Sequence, residues 1–142
     1  MPESIAVSRF NHAAVNASDV AASVAFYTQV LGFYEVPRPS FSFAGSWLYS
    51  EGLGMMLHLI NDDRFTPIAE RENTRRSHLA FRVADIDRTL ELLAEHQVPV
   101  IQRRLPDHNY RQLFIHDPDG NLLELGEWPD VEQMDLTRIA PR

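Results

Sequence analysis

The strongest constraint on the fold is that the chain repeats itself. Asn11-His12-Ala13-Ala14-Val15 reads beside Ser77-His78-Leu79-Ala80-Phe81, a shift of 66 from position 12 to position 78. Each histidine is followed seven residues later by an aspartate, Asp19 or Asp85, and each aspartate opens a stretch with helical spacing. The same shift lays Gly54-Met55-Met56-Leu57-His58-Leu59 on Gly120-Asn121-Leu122-Leu123-Glu124-Leu125. Landmarks that share one shift mark an old duplication. A repeat of this length is one supersecondary unit that buries its apolar face against another.

Each copy reads as strand, helix and three further strands. Phe10 to Asn16 is β-compatible. Ser18 or Asp19 can cap a helix on which Val20, Val24, Tyr27 and Leu31 recur at helical spacing, and Gly32 sits where a left-handed C-terminal residue is wanted. Strands are expected over 33–38, 46–50 and 55–60. The second copy predicts a strand over 78–83, a helix over 85–96 and strands over 98–105, 112–116 and 121–127. Asp117-Pro118-Asp119-Gly120 is a strong turn signal. The expectation is an α+β fold, two βαβββ modules in tandem forming a curved mixed sheet. It is a single domain over 1–142, with module one about 8–60, a polar linker about 61–76, module two about 77–128 and a tail over 129–142.

Composition closes off several chemistries. There is no cysteine, so disulfides, thiolate metal sites and cysteine nucleophiles are excluded. All thirteen basic residues are arginine, which removes a phosphate-loop lysine, a Schiff-base lysine and a Ser–Lys dyad. A net charge of −7 argues against nucleic acid or an anionic membrane as partner. No apolar run approaches membrane-spanning length, and the expected location is the cytoplasm by absence of any address.

Strand side chains alternate between faces. On the strand at 78, Leu79, Phe81 and Val83 form the apolar face, and His78 lies opposite with Ala80 and Arg82. Glu124 likewise points away from Leu123 and Leu125. The apolar face must meet the module's helix, which leaves the other face to line a cavity. Two modules related by a pseudo-two-fold would bring His12, His58, His78 and Glu124 together. Three imidazoles and a carboxylate suit one divalent ion, Zn, Ni, Fe or Mn. His12, His78 and Glu124 already make a complete 2-His-1-carboxylate triad, so His58 is the weakest of the four as a ligand. Glu124 and His58 are the candidate catalytic residues. Trp47 and Tyr49 alternate along a strand and read first as core or dimer packing and second as cavity lining, and Arg82 is a candidate to hold an anion or pair with a carboxylate. His96 reads as a helix end, His108 as a loop residue and His116 as a neighbour of the site.

Several segments carry a resemblance to a known family. They are Phe10-Asn11-His12, Ser23-Val24-Ala25-Phe26-Tyr27 with Val30-Leu31-Gly32-Phe33, Ser77-His78-Leu79-Ala80-Phe81, and Asp117-Pro118-Asp119-Gly120 followed by Asn121 to Glu124. In these the chain resembles the vicinal oxygen chelate superfamily, which includes glyoxalase I, bleomycin-resistance proteins and extradiol dioxygenases. It looks most like the small glyoxalase-like members. The resemblance implies ligands on the first, fourth, fifth and eighth strands, at His12, His58, His78 and Glu124. His58 stands where glyoxalase I carries Glu, and Asn16 where glutathione-using members carry Arg, which points away from a lactoylglutathione substrate.

The expected function is a metal-dependent lyase or isomerase on a small carbonyl compound chelated through neighbouring oxygens. The alternatives are an extradiol-type dioxygenase using Fe(II) or Mn(II), and a non-catalytic drug or metabolite binder of bleomycin-resistance type. A small-molecule substrate and a homodimer with the metal site at or near its interface complete the expectation.

Overall fold

The computed structural model describes residues 1–106 and 108–135. In chain order the elements are β1 (His12–Asn16), α1 (Val20–Gln29), β2 (Tyr34–Val36), β3 (Gly45–Ser50), β4 (Met55–Ile60), β5 (Leu79–Arg82), α2 (Ile86–Glu95), β6 (Ile101–Arg104), β7 (Arg111–His116) and β8 (Leu122–Gly126), followed by a short 3-10 turn, Val131–Gln133. This is βαβββ twice. The strands form two four-stranded mixed sheets, ordered β1-β4-β3-β2 and β5-β8-β7-β6. The chain divides into two compact units, Met1–Pro67 and one that begins at Ile68. The division falls inside the expected linker. Beyond it the backbone belongs to the second unit, where Ile68 N–H donates to the Asp119 carbonyl at 2.7 Å.

The duplication is most exact where hydrogen bonding leaves least freedom. Asp19 accepts from Ala22 N–H, and Asp85, at the same shift, accepts from Arg88 N–H. Each carboxylate satisfies a free donor of the first helical turn. Parallel register pairs Ala13 with Leu57 and Ala14 with His58; in the second module Leu79 pairs with Leu123 and Ala80 with Glu124. The intervening loops absorb the drift. Val36 pairs with Trp47, and the equivalent pair is Ile101 with Phe114. The left-handed residue after the first helix is Gly32, but after the second it is Gln97, one place early for the shift. The middles of the modules therefore match poorly as aligned strings while matching well as pairings.

The buried layer of each sheet packs toward its helix. In module one it includes Leu48, Leu57 and Leu59 with Tyr27 and Phe33; in module two it includes Leu113, Ile115, Leu123 and Leu125 with Ile86 and Leu93. The helical face of α1 differs from expectation. Its fully buried positions are Ser23 and Tyr27, while Val20, Val24 and Leu31 are only partly covered. A small residue one turn before a large one lets the helix come close at Ser23 and leaves Tyr27 to fill the space beyond.

The turn before β8 is built by its aspartate. Asp117 Oδ1 accepts from the backbone N–H of Asp119 and of Asn121, each at 2.9 Å, and Oδ2 accepts from the Asn121 side chain at 2.8 Å. Gly120 has φ of 83°, and a Cβ there would fall 2.1 Å from the Ile68 carbonyl oxygen. Only glycine meets both conditions. The turn sets where Glu124 emerges four residues later.

Candidate metal centre

In module one, His12 and His58 meet. Parallel pairing of Ala14 with His58 puts the His12 ring beside it, with centroids 3.9 Å apart and planes 13° from parallel. Trp47, directly across the antiparallel pair from His58, stacks on its other face at 4.3 Å and 6°. His58 is thus the middle plate of a three-ring stack, which sets the direction of its edge. Its Nε2 is buried and has no hydrogen-bond partner. Burial holds the imidazole below its ordinary pKa, and the neighbouring His12 and the Arg38 guanidinium push it the same way. His12 is exposed, and its Nδ1 lies 2.8 Å from Asn11 Oδ1. As a donor to that oxygen, Nδ1 leaves the Nε2 lone pair free.

In module two, His78 and Glu124 meet. His78 Nδ1 lies 2.7 Å from the Arg76 carbonyl oxygen, so it must donate there. His78 Nε2 lies 2.8 Å from Glu124 Oε2, a contact made by a proton on Nε2 or by a cation shared between the two. Glu124 Oε1 accepts from Gln112 Nε2 at 2.6 Å, and Phe114 meets the His78 ring edge-on at 5.8 Å. Phe114 sits opposite Glu124 in the ladder and Gln112 two residues away on the same face. Glu124 is 6% exposed, so the carboxylate depends on these partners for compensation.

The predicted four residues are therefore brought together in pairs, one pair in each module. Among the described residues, no group of three or more His, Asp or Glu side chains gathers at ligand spacing. Each pair nonetheless supplies donors of the kind a divalent ion takes. His12 and His78 each have Nδ1 tied to an oxygen, the outer-partner arrangement that orients Nε2 for a metal. His58 Nε2 is a buried atom with no partner, and Glu124 Oε2 lies 2.8 Å from His78 Nε2.

Other readings resolve on neighbouring residues. Arg82 donates through Nε to the Trp128 carbonyl at 2.7 Å and lies 3.6 Å from Asp130, so it is a paired structural cation. Tyr49 packs edge-on against Tyr34 at 5.6 Å, so this ring takes part in a cross-strand pair. His96 ends α2, and His108 lies in the loop before β7, where it contacts the Pro106 carbonyl at 3.0 Å. His116 shares the Glu124 face through Phe114, and its Nε2 is buried without a partner. Sequence reasoning missed Gln112 and Asn11. Gln112 was recoverable, because it lies two residues before Phe114 on the ligand face. The Arg76 carbonyl was not, since backbone acceptors carry no residue signature.

The profile of the Glyoxalase/Bleomycin resistance protein/Dioxygenase superfamily matches residues 9–125. "Glyoxylase I 4" of Arabidopsis thaliana is 30% identical over 118 residues, 81% of this chain and 68% of that protein. The protein YaeR of Escherichia coli K12 is 33% identical over 132 residues, 87% of this chain and 98% of its own length. Among solved structures, a glyoxalase family protein from Bacillus anthracis superposes with a TM-score of 0.72 at 23% identity, covering 87% of this chain and 98% of that one.

Proposed function

The chain belongs to the glyoxalase/bleomycin resistance protein/dioxygenase superfamily, and on that premise we propose that it is a metal-dependent lyase or isomerase acting on a small carbonyl compound. The observation that carries the reading is the His78–Glu124 contact, which sets an imidazole Nε2 2.8 Å from a carboxylate oxygen on a buried residue. A divalent ion that displaces the shared proton would take both groups as ligands. In this reading His12, His78 and Glu124 hold one divalent ion, with His58 beside them. The ion supplies Lewis acidity toward neighbouring oxygens of the substrate.

The protein's own groups do the rest. His58 is buried and held neutral at physiological pH by its surroundings. Its unpartnered Nε2 is free to take a proton next to a carbonyl and return it to the adjacent carbon. Trp47 and His12 fix the ring plane, so the proton is exchanged in one direction. Gln112 holds one oxygen of Glu124 and leaves the other to face His78. Each module carries two of the four residues. The set is completed across a C2 homodimer, with His12 and His58 from one chain and His78 and Glu124 from its partner.

The dioxygenase reading is weaker, because Phe114 offers no hydroxyl beside His78. The test is elemental analysis of protein purified without chelators, followed by two assays. One follows isomerisation of a 2-oxoaldehyde with a thiol; the other follows oxygen uptake with a catechol. Zinc or nickel with isomerisation is expected. Iron with oxygen uptake would replace this reading by the dioxygenase. Protein that never takes up a metal yet binds small molecules would replace both by the binder.

A further inference from the structure

Arg38 is a cation without a carboxylate. Of the described residues, none supplies it with an ion pair, in a chain whose net charge is −7. Its guanidinium carbon lies 4.9 Å from the centre of the Phe41 ring and 5.4 Å from that of Phe43. Nη2 donates to the Phe43 carbonyl at 3.1 Å, while Nε is buried with no partner. Two aromatic rings lie beside the cation without neutralising it. A guanidinium has five donors in a planar fork, and an unfilled edge in such surroundings is costly unless an oxyanion fills it.

Its position ties it to the site. Val36 pairs with Trp47, and Arg38 lies just beyond the end of β2 with its guanidinium beside Gly45, on the face of Trp47 and His58. The contacts run on from there. Phe41 lies 6.3 Å from Trp47, which stacks on His58 at 4.3 Å. Gly45, on the same face two residues before Trp47, leaves the space. A Cβ at that position would lie 2.4 Å from the Leu59 carbonyl oxygen and 3.1 Å from Arg38 Nη2.

We propose that Arg38, backed by Phe41 and Phe43 and joined to His58 through Trp47, is the specificity-determining residue that selects substrates carrying a carboxylate on a flat, small body. The inference deepens the proposed function and rests on it for the location of the reacting oxygens. Trp47 and Phe41 form a run of ring contacts from His58 to the cation. A planar substrate presenting neighbouring oxygens at one end and a carboxylate at the other spans the two.

The test uses two unreactive probes of one shape, 3,4-dihydroxybenzoate and the neutral 3,4-dihydroxybenzamide. Binding to the holoprotein is measured without oxygen by tryptophan fluorescence. The wild type is expected to favour the carboxylate by roughly ten-fold or more, the scale of one charge-assisted hydrogen bond. Arg38→Gln is expected to bring the ratio close to one, while Arg88→Gln, a charge-matched change on the exposed helix, keeps it. Rising salt should lower the wild-type ratio, a readout that needs no variant. Equal binding of the probes by the wild type, no binding of either, or a preference that survives in Arg38→Gln overturns the inference. The proposed function is judged separately by turnover. Turnover of neutral carbonyl compounds without a charge preference sinks Arg38's role alone, and a charge preference without turnover of any carbonyl compound sinks the function alone.

Discussion

His78 and Glu124 touch across the parallel pair β5–β8, with Nε2 2.8 Å from Oε2, although the ladder register places Ala80, not His78, opposite the glutamate. The reach comes from the strand start. His78 lies just before β5, and its ring is held by the Arg76 carbonyl. Glu124→Gln replaces an acceptor-only group with one that must present a donor somewhere. It should reduce metal affinity by more than the ~10–100-fold typical of losing an outer partner. Gln112→Leu, which removes only the partner of Oε1, should fall within that range. Isothermal titration of metal into both variants measures the difference. Glu124→Gln with wild-type affinity and activity refutes the site.

His58 can be a ligand or the proton-transfer group, and the proposed function takes the second role. With its Nε2 unpartnered and its ring held between Trp47 and His12, His58→Ala should cut kcat by roughly 10²–10⁴-fold. Metal affinity should change less. A variant whose affinity collapses while metal-saturated kcat stays near the wild type would make His58 a ligand instead.

Sharing of the site between chains is tested by mixing. Inactive His12→Ala and inactive Glu124→Ala proteins are allowed to exchange subunits. A shared site leaves one of the two sites of the heterodimer with all four side chains, and activity should return toward a quarter of wild type: about half of the dimers at random exchange, each with one good site. No recovery after full exchange, or a monomer by sedimentation, ends the proposal.

Two imidazoles make stability depend on pH. Burial is the main cause that holds His58 and His116 below the ordinary value. His12 and Arg38 add to it at His58, and Arg71 and Arg76 at His116, where Glu70 opposes them. The unfolded chain therefore binds these protons more readily than the folded one. Their contribution is complete above the unfolded value of ~6.5 and is lost as pH falls from there through the folded values. Tm of the metal-free protein should decline between about pH 6.5 and 5. His116→Gln should flatten that decline in differential scanning calorimetry. An unchanged profile would show that His116 protonates freely in the fold.

The duplication was legible in the sequence because ladder register and helix capping tolerate little change. Asp19 and Asp85, Gly54 and Gly120, and the pairs Ala13–Leu57 and Leu79–Leu123 all keep one shift. The faces of the four candidate residues followed, since a strand's period of two assigns each side chain to a face. The family was legible for the same reason. Loop lengths were not, because one residue gained or lost outside a ladder leaves the pairing intact.

What only the tertiary structure decided is which groups answer those side chains. Gln112 reaches Glu124 from another strand, Trp47 lies flat on His58, and Arg38 swings past Gly45 onto their face. These contacts depend on side-chain rotamers and on neighbours distant in the chain, which the order of residues does not encode locally. The sequence by itself determined two similar scaffolds with four candidate ligands. Packing decided how each imidazole is oriented, because an imidazole's free nitrogen is set by whatever oxygen occupies the other one.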